Sequence, residues 1–192
     1  MNASFILASS SPRRRELLKL VGISPQIIIP TVDEGIKPGE SIETFLRRVT
    51  ITKGKAIYRQ EFYNTPLISA DTIVLCENQL IGKPRTRAEA FNFLKILANN
   101  VHEVLTGVSI LYRGTPHYDV ARTRVVFTEI SDEEINYYLD NESYMDKAGA
   151  YAIQGKASVF IKKIDGCYFN VMGFPLNLFY TMLKKIGINI YG

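Results

Sequence analysis

An apolar run from Ala3 to Ala8 opens directly into Ser9-Ser10-Ser11-Pro12-Arg13-Arg14-Arg15 and then Glu16-Leu17-Leu18. A run that stops at serines and a proline reads as a strand feeding a helix through a hydroxyl-rich turn. Ser11 is placed as the N-cap and Pro12 at the first helical position, so the N–H groups of the first turn face back toward the strand end. Arginines in that turn stand at the wrong end for the helix dipole. An anionic partner supplies the missing reason, because forked guanidinium donors match phosphate oxygens. The expected ligand is a polyphosphate.

The remaining composition narrows the setting. A chain of 192 residues makes one domain or two closely packed lobes, and at that size folding buries about 70% of the unfolded surface. With 46% hydrophobic and 22% charged residues it has the make-up of a soluble globular protein, and disorder is excluded. Cys76 and Cys167 stand in no metal-binding spacing, so neither a disulfide framework nor a zinc site is expected. Free thiols suit a reducing cytosol, and a cytoplasmic location is expected. Arg13 to Arg15 interrupt the first apolar run too early for a signal peptide, and no run of about 18 apolar residues exists to span a membrane. A net charge of +4 suits a phosphate-rich substrate and falls short of demanding nucleic acid.

Along the chain, Leu17, Leu18 and Val21 give one apolar face of a short helix ending at Gly22, and Gln26 to Pro30 reads as a second strand. Thr31 to Glu40 has no period and should be a loop, a candidate for a mobile one. Ser41 opens a helix whose stripe of Ile42, Phe45, Leu46, Val49, Ala56 and Ile57 carries it to about Phe62, with Lys53 off that stripe. Pro66 to Leu75 is a buried strand turning at Asn78-Gln79. Thr86/Glu89 and Ser131/Glu134 are capping boxes, the first for a helix burying Phe91, Leu94 and Leu97, the second for one burying Ile135, Tyr138 and Leu139. Val101 to Leu111 and Val120 to Ile130 alternate as strands joined by a loop over Tyr112 to Asp119. Val159 to Ile164 and Tyr168 to Val171 are predicted to pair across Asp165-Gly166. Gly173-Phe174-Pro175 starts a last helix with a core face of Leu176, Phe179, Tyr180 and Leu183. The order is mixed α/β with hairpins.

Several residues can carry chemistry. Asp71 breaks an apolar strand, and a carboxylate there must be paired, metal-bound or turned to a cleft, while the adjacent Thr72 can orient water or ligand. Lys83, between Gly82 and Pro84, projects an ammonium from a stiff turn toward a phosphate. Lys53 has nothing in its spacing to separate it from a solvated helix face. Asp33 and Glu34 can help hold a hard divalent cation, which takes one or two carboxylates plus substrate phosphates. The amide of Gln154 can read an N–H beside a carbonyl, the pattern on the pairing edge of uracil or thymine. No P-loop, Gly-x-Ser-x-Gly or histidine-based nucleophile signature is present.

Leu7-Ala8-Ser9-Ser10-Ser11-Pro12-Arg13-Arg14, Asp33-Glu34, Ala70-Asp71-Thr72, Gly82-Lys83-Pro84, Asp146-Lys147-Ala148-Gly149-Ala150-Tyr151, Gln154-Gly155 and Gly173-Phe174-Pro175 together resemble the Maf family of nucleoside triphosphate pyrophosphatases. The resemblance runs from residue 5 to about 183 and treats residues 1–192 as a single domain. It implies a long twisted mixed sheet flanked by helices, two lobes with a central cleft, and likeness to the inosine triphosphate pyrophosphatases. It implies hydrolysis of dTTP and UTP, and of modified pyrimidine nucleotides, to the monophosphate and pyrophosphate with a divalent metal, Mg or Mn. Asp71 matches the catalytic base, Ser9, Arg13, Arg14, Lys53, Thr72, Lys83 and Gln154 match substrate-binding positions, and Glu34 with Asp71 is assigned to the metal. A homodimer and a septation-related protein partner are the associations it leaves room for, with no nucleic acid and no membrane. A nucleotide-sensing regulator of septum formation is the alternative function. Ala152 and Phe174 depart from the family's usual Gly and Leu, which bears on base preference.

Overall fold

The computed structural model describes residues 4–191, so Ala3 of the first apolar run lies outside the described residues. The chain divides into two units, one comprising Met1–Asp71, Thr106–Ala121 and Gly173–Gly192, the other Thr72–Leu105 and Arg122–Met172.

In the first unit, β1 (Ile6–Ala8) leads through the serines into α1 (Pro12–Leu20). The helix closes at Gly22, whose φ of +77° is the left-handed conformation that glycine tolerates, with Gly22 N and Ile23 N donating to the carbonyls of Lys19 and Leu18. β2 is only Gln26–Ile27, shorter than the sequence predicts, since only these residues pair with β1. Pro30 has no N–H to extend the ladder. β1 also pairs in parallel with β3 (Leu67–Cys76), Leu7 facing Ile68. α2 (Ile42–Ile57) is capped by Ser41, whose hydroxyl accepts from Thr44 N at 3.2 Å. It stops well before Phe62. Tyr58 turns extended while Ile57 packs with Ile6, Ala8, Leu67 and Leu111, and residues Gln60–Phe62 form a separate turn. The buried face of α2 also differs from the predicted stripe, with Lys53 inside it and Ala56 exposed. α6 (Leu176–Lys185) buries Leu176, Phe179, Met182 and Leu183, whereas Tyr180, predicted in that face, lies half-buried against Tyr191.

In the second unit, β3 turns through Glu77 and Asn78, at φ 50° and 64°, into β4 (Gln79–Ile81), one residue earlier than predicted. α3 (Arg87–Leu97) has half of its predicted capping box: Thr86 accepts from Glu89 N, but the Glu89 carboxylate takes Arg85 N at 2.7 Å instead. Its buried residues are Ala90, Leu94 and Leu97, with Phe91 half-buried at the margin. α4 (Asp132–Asn141) has the complete box and buries Ile135, Tyr138 and Leu139 as predicted.

β5 (Val101–Tyr112) and β6 (Thr115–Phe127) each contribute to both units. The predicted loop over Tyr112 to Asp119 shrinks to Arg113–Gly114, at φ 50° and 76°, a two-residue turn whose twist matches that of strands. The predicted hairpin across Asp165-Gly166 does not form. β7 (Ile161–Asp165) pairs antiparallel with β6, and Tyr168–Val171 is a helical turn, α5. The hydroxyl of Thr123 accepts from Cys167 N at 3.0 Å and Asn170 Nδ2 at 2.9 Å, which draws the chain after Gly166 into that turn. The strands form one sheet, ordered β2-β1-β3-β5-β6-β7 with β4 beside β3, and the class is mixed α/β as expected. No helix among the described residues is long and apolar enough to cross a membrane.

The core of the second unit holds a buried polar pair. His102 Nε2 lies 2.7 Å from the Tyr151 hydroxyl, both rings pack edge-on against Phe127, and His102 Nδ1 has no hydrogen-bond partner among the described residues. Burial pushes the imidazole down to about 4, so it is neutral at neutral pH. Between pH 6.5 and 4 the unfolded chain binds the proton that the folded chain refuses, so stability falls as pH falls. Urea unfolding should lose about 2 kcal/mol from this group between pH 7 and 5, a loss absent in His102→Gln. Equal pH dependence in the two proteins would contradict it.

Candidate active site

The turn between β1 and α1 is organised by one hydroxyl. Ser9, buried at 7% exposure, accepts from its neighbour Ser11 N at 3.1 Å and from Arg14 Nη1 at 3.2 Å. Arg14 Nε donates to the Gly173 carbonyl at 3.0 Å. Ser11 is the N-cap residue by position, but its side chain makes no capping bond, while its backbone N–H donates to Ser9. Two arginines are thereby sorted: Arg14 is fixed against Ser9 and Gly173, while Arg15 is exposed. Arg13 is half-buried in the same turn. Burial holds the Arg14 guanidinium below its ordinary value, with Asp71 and Glu34 acting in the opposite sense and Arg13 adding to the lowering. Arg14 therefore lies in the field of both carboxylates.

Those carboxylates meet at Lys53. Its ammonium donates to Asp71 Oδ1 at 2.6 Å and lies 3.0 Å from Glu34 Oε2, with the lysine side chain 8% exposed, Asp71 14% and Glu34 49%. Lys53 is the residue that the sequence underrated. An ammonium cannot be buried on an apolar helix face without partners, and Asp71 of β3 and Glu34 of the 31–40 loop provide them. The neighbouring glycine explains the fit: a Cβ on Gly54 would lie 3.1 Å from Ser69 Oγ, so α2 passes close over β3. Ser69 in turn donates to the Thr50 carbonyl at 2.7 Å. Asp33, the other acid proposed for a cation, is occupied within its own loop, its Oδ1 accepting from Gly35 N at 2.9 Å.

Tyr118 was not singled out from the sequence. It is half-buried on β6 with the Arg47 guanidinium 5.3 Å from its ring centroid, and burial, opposed by Arg47 and aided by Asp119, Asp71 and Glu43, pushes its hydroxyl up to about 12. Alternation along a strand marked it only as one residue among several.

The other predicted residues belong to the second unit. Thr72 follows Asp71 on β3 and is half-buried. Lys83 and Gln154 are both exposed, and their segments are joined by Gly149 N donating to the Gly82 carbonyl at 3.0 Å. Gly149 and Ala150 take positive φ there, 74° and 58°, so the Gly/Ala-rich stretch is a sharp fold rather than a plain loop. Ala152 is half-buried and Phe174 is buried in the first unit, its ring 5.1 Å from that of Phe179.

The donor set fits a hard divalent cation. Two carboxylates already converge on one cationic group, and magnesium is held by one or two carboxylates with phosphate oxygens and water completing the shell. A closed all-protein metal cage is absent among the described residues, where no group of three or more His, Cys, Asp or Glu is suitably placed.

The family model described as Maf-like protein matches residues 4–186. A dTTP/UTP pyrophosphatase of a Geobacillus species is 42% identical over 182 residues, covering 95% of this chain and 97% of its own. One from Syntrophomonas wolfei is 41% identical, covering 96% and 98%. The solved structure of the Staphylococcus aureus Ham1 protein aligns with a TM-score of 0.51 at 14% identity, over 95% of this chain and 99% of that one, a likeness of fold.

Lys53→Met should strand the Asp71 carboxylate in a poorly solvated place and lower stability by about 3 kcal/mol. Lys53→Met/Asp71→Leu should recover part of that loss in urea unfolding. A single variant as stable as the parent would show that the pair is not what holds α2 to β3.

Proposed function

The chain belongs to the Maf family, and from that premise we propose that it hydrolyses dTTP and UTP, and modified pyrimidine nucleotides of the same shape, to the monophosphate and pyrophosphate. The observation that carries the reading is the meeting of Asp71 and Glu34 at the Lys53 ammonium, with Arg14 in the field of both carboxylates. Asp71 takes the proton of a water that attacks the α phosphorus in line with the leaving pyrophosphate. With Oδ1 engaged by Lys53 at 2.6 Å, the proton goes to Oδ2. Arg13, Arg14 and the first-turn N–H groups of α1 neutralise phosphate charge, and Ser9 holds Arg14 in the orientation that does so. Such chemistry is mostly positioning and electrostatics, which is what a prebuilt set of donors supplies.

A divalent cation, Mg or Mn, belongs to this reading, held by Asp71 and Glu34 with the substrate's phosphates. When bound it neutralises phosphate charge and polarises the attacked phosphoryl group. Thr72, Lys83 and Gln154 are assigned to the substrate, Lys83 to a phosphate and Gln154 to the pairing edge of the pyrimidine. A cytoplasmic setting, where nucleoside triphosphates are abundant, accords with the reading.

A panel of common and modified triphosphates, assayed with Mg or Mn and with products resolved, should give monophosphate plus pyrophosphate, with dTTP and UTP preferred. Diphosphate plus phosphate would contradict the reaction type. Asp71→Asn should lower turnover at least about 10²-fold, and near-normal turnover in that variant would remove the base from Asp71. Gln154→Glu should shift preference from UTP toward GTP, because a carboxylate repels the O4 carbonyl and suits guanine's two donors. An unchanged preference would refute that role.

A further inference from the structure

The loop over residues 31–40, which carries Glu34, is tied down by a residue with no place in the chemistry. Arg48 of α2 donates from Nε to Glu40 Oε1 at 2.6 Å and from Nη2 to Glu40 Oε2 at 2.8 Å, a two-pronged bond. The same Nη2 donates to the Gly35 carbonyl at 2.7 Å, one residue beyond Glu34. Glu40 Oε2 also accepts from Lys37 N at 3.0 Å, and Glu40 N donates to the Lys37 carbonyl at 3.0 Å. One guanidinium therefore holds both ends of the segment 35–40. On the other side of Glu34, Asp33 Oδ1 accepts from Gly35 N.

Arg48 and Lys53 sit on the same helix, so α2 grips the loop at two places: Arg48 at Gly35 and Glu40, Lys53 at Glu34 itself. The first grip sets the second. Glu34 is 49% exposed and belongs to no helix or strand, so packing does not dictate where its carboxylate goes. What fixes it is the backbone on either side, and a guanidinium fork is the side chain best suited to fixing two acceptors in one plane. The Glu40 side chain is 7% exposed, and the hydrogen bond from Arg48 holds its carboxyl down to about 2, so the fork stays ionised at any working pH.

We propose that Arg48, with Glu40, is a positioning residue for the pyrophosphatase reaction: it fastens the 31–40 loop to α2 so that Glu34 reaches the Lys53–Asp71 pair. The inference rests on the reading of Glu34 as part of the reacting site. It assigns Arg48 no contact with substrate. Its effect on turnover passes entirely through Glu34, and Glu34→Gln should make Arg48 irrelevant.

The test uses the full chain with Arg48→Gln, Glu40→Gln, Glu34→Gln and the double variant Arg48→Gln/Glu34→Gln, following pyrophosphate release from dTTP. Arg48→Gln and Glu40→Gln should each lower kcat about 10- to 100-fold with KM changed less than about threefold, the scale expected of a misplaced group. Hydrogen exchange should quicken at the amides of Gly35, Lys37 and Glu40 while those inside α2 stay protected, which separates a loosened loop from a damaged fold. In the Glu34→Gln background, Arg48→Gln should change kcat by less than about twofold. Multiplying losses in the double variant, or unchanged kcat in both Arg48→Gln and Glu40→Gln, would overturn the proposal while leaving Glu34 its role. Unchanged kcat in Glu34→Gln would instead fail the reading beneath it.

Discussion

A buried ammonium is the constraint around which the first unit is arranged. Lys53 leaves the surface of α2 and lies against β3, where Asp71 Oδ1 at 2.6 Å and Glu34 Oε2 at 3.0 Å offset its charge. Removing the ammonium leaves the largely buried Asp71 carboxylate uncompensated, and removing Asp71 leaves the ammonium only the half-exposed Glu34 as a partner. That explains why an acid can interrupt the apolar strand Leu67–Cys76 without destabilising the sheet. It also explains why an exposed loop acid comes to stand over a strand.

The basic turn after β1 completes this arrangement. Ser9 gathers Ser11 N and Arg14 Nη1 onto one oxygen, and Gly173, just ahead of α6, accepts from the same arginine. Segments far apart in sequence thereby set one guanidinium in the field of Asp71 and Glu34. In the proposed reaction a polyanion arriving there would meet cations already oriented, leaving little reorganisation for the moment of reaction.

Legibility followed the range of the interaction. The serine-proline-arginine turn, the Ser41 cap and the Ser131/Glu134 box involve neighbours within a few residues, and the structure has all three where the sequence placed them, except that Ser11 donates its N–H and leaves its hydroxyl out. Asp71 was legible because an acid in an apolar run demands a partner. The identity of that partner was not: helical period placed Lys53 outside the apolar stripe, and only the pairing of β1 with β3 beneath α2 puts it within reach. The same limit explains Tyr168–Val171, which has strand-like composition but is drawn into a helical turn by Thr123, more than 40 positions away. Arg48 and Glu40 flank the Ser41 cap with nothing local to mark them as a pair. The Tyr112 to Asp119 segment reads as a loop from Gly114 and Pro116, yet strand pairing carries through to a two-residue turn.

The central claim is that water, prepared at Asp71, attacks the α phosphorus. Hydrolysis of dTTP in water enriched in oxygen-18, with the label located by mass spectrometry, addresses it without any variant. The account predicts the heavy oxygen in dTMP and none in pyrophosphate beyond background. Label in the pyrophosphate would place the attack at the β phosphorus and contradict the account.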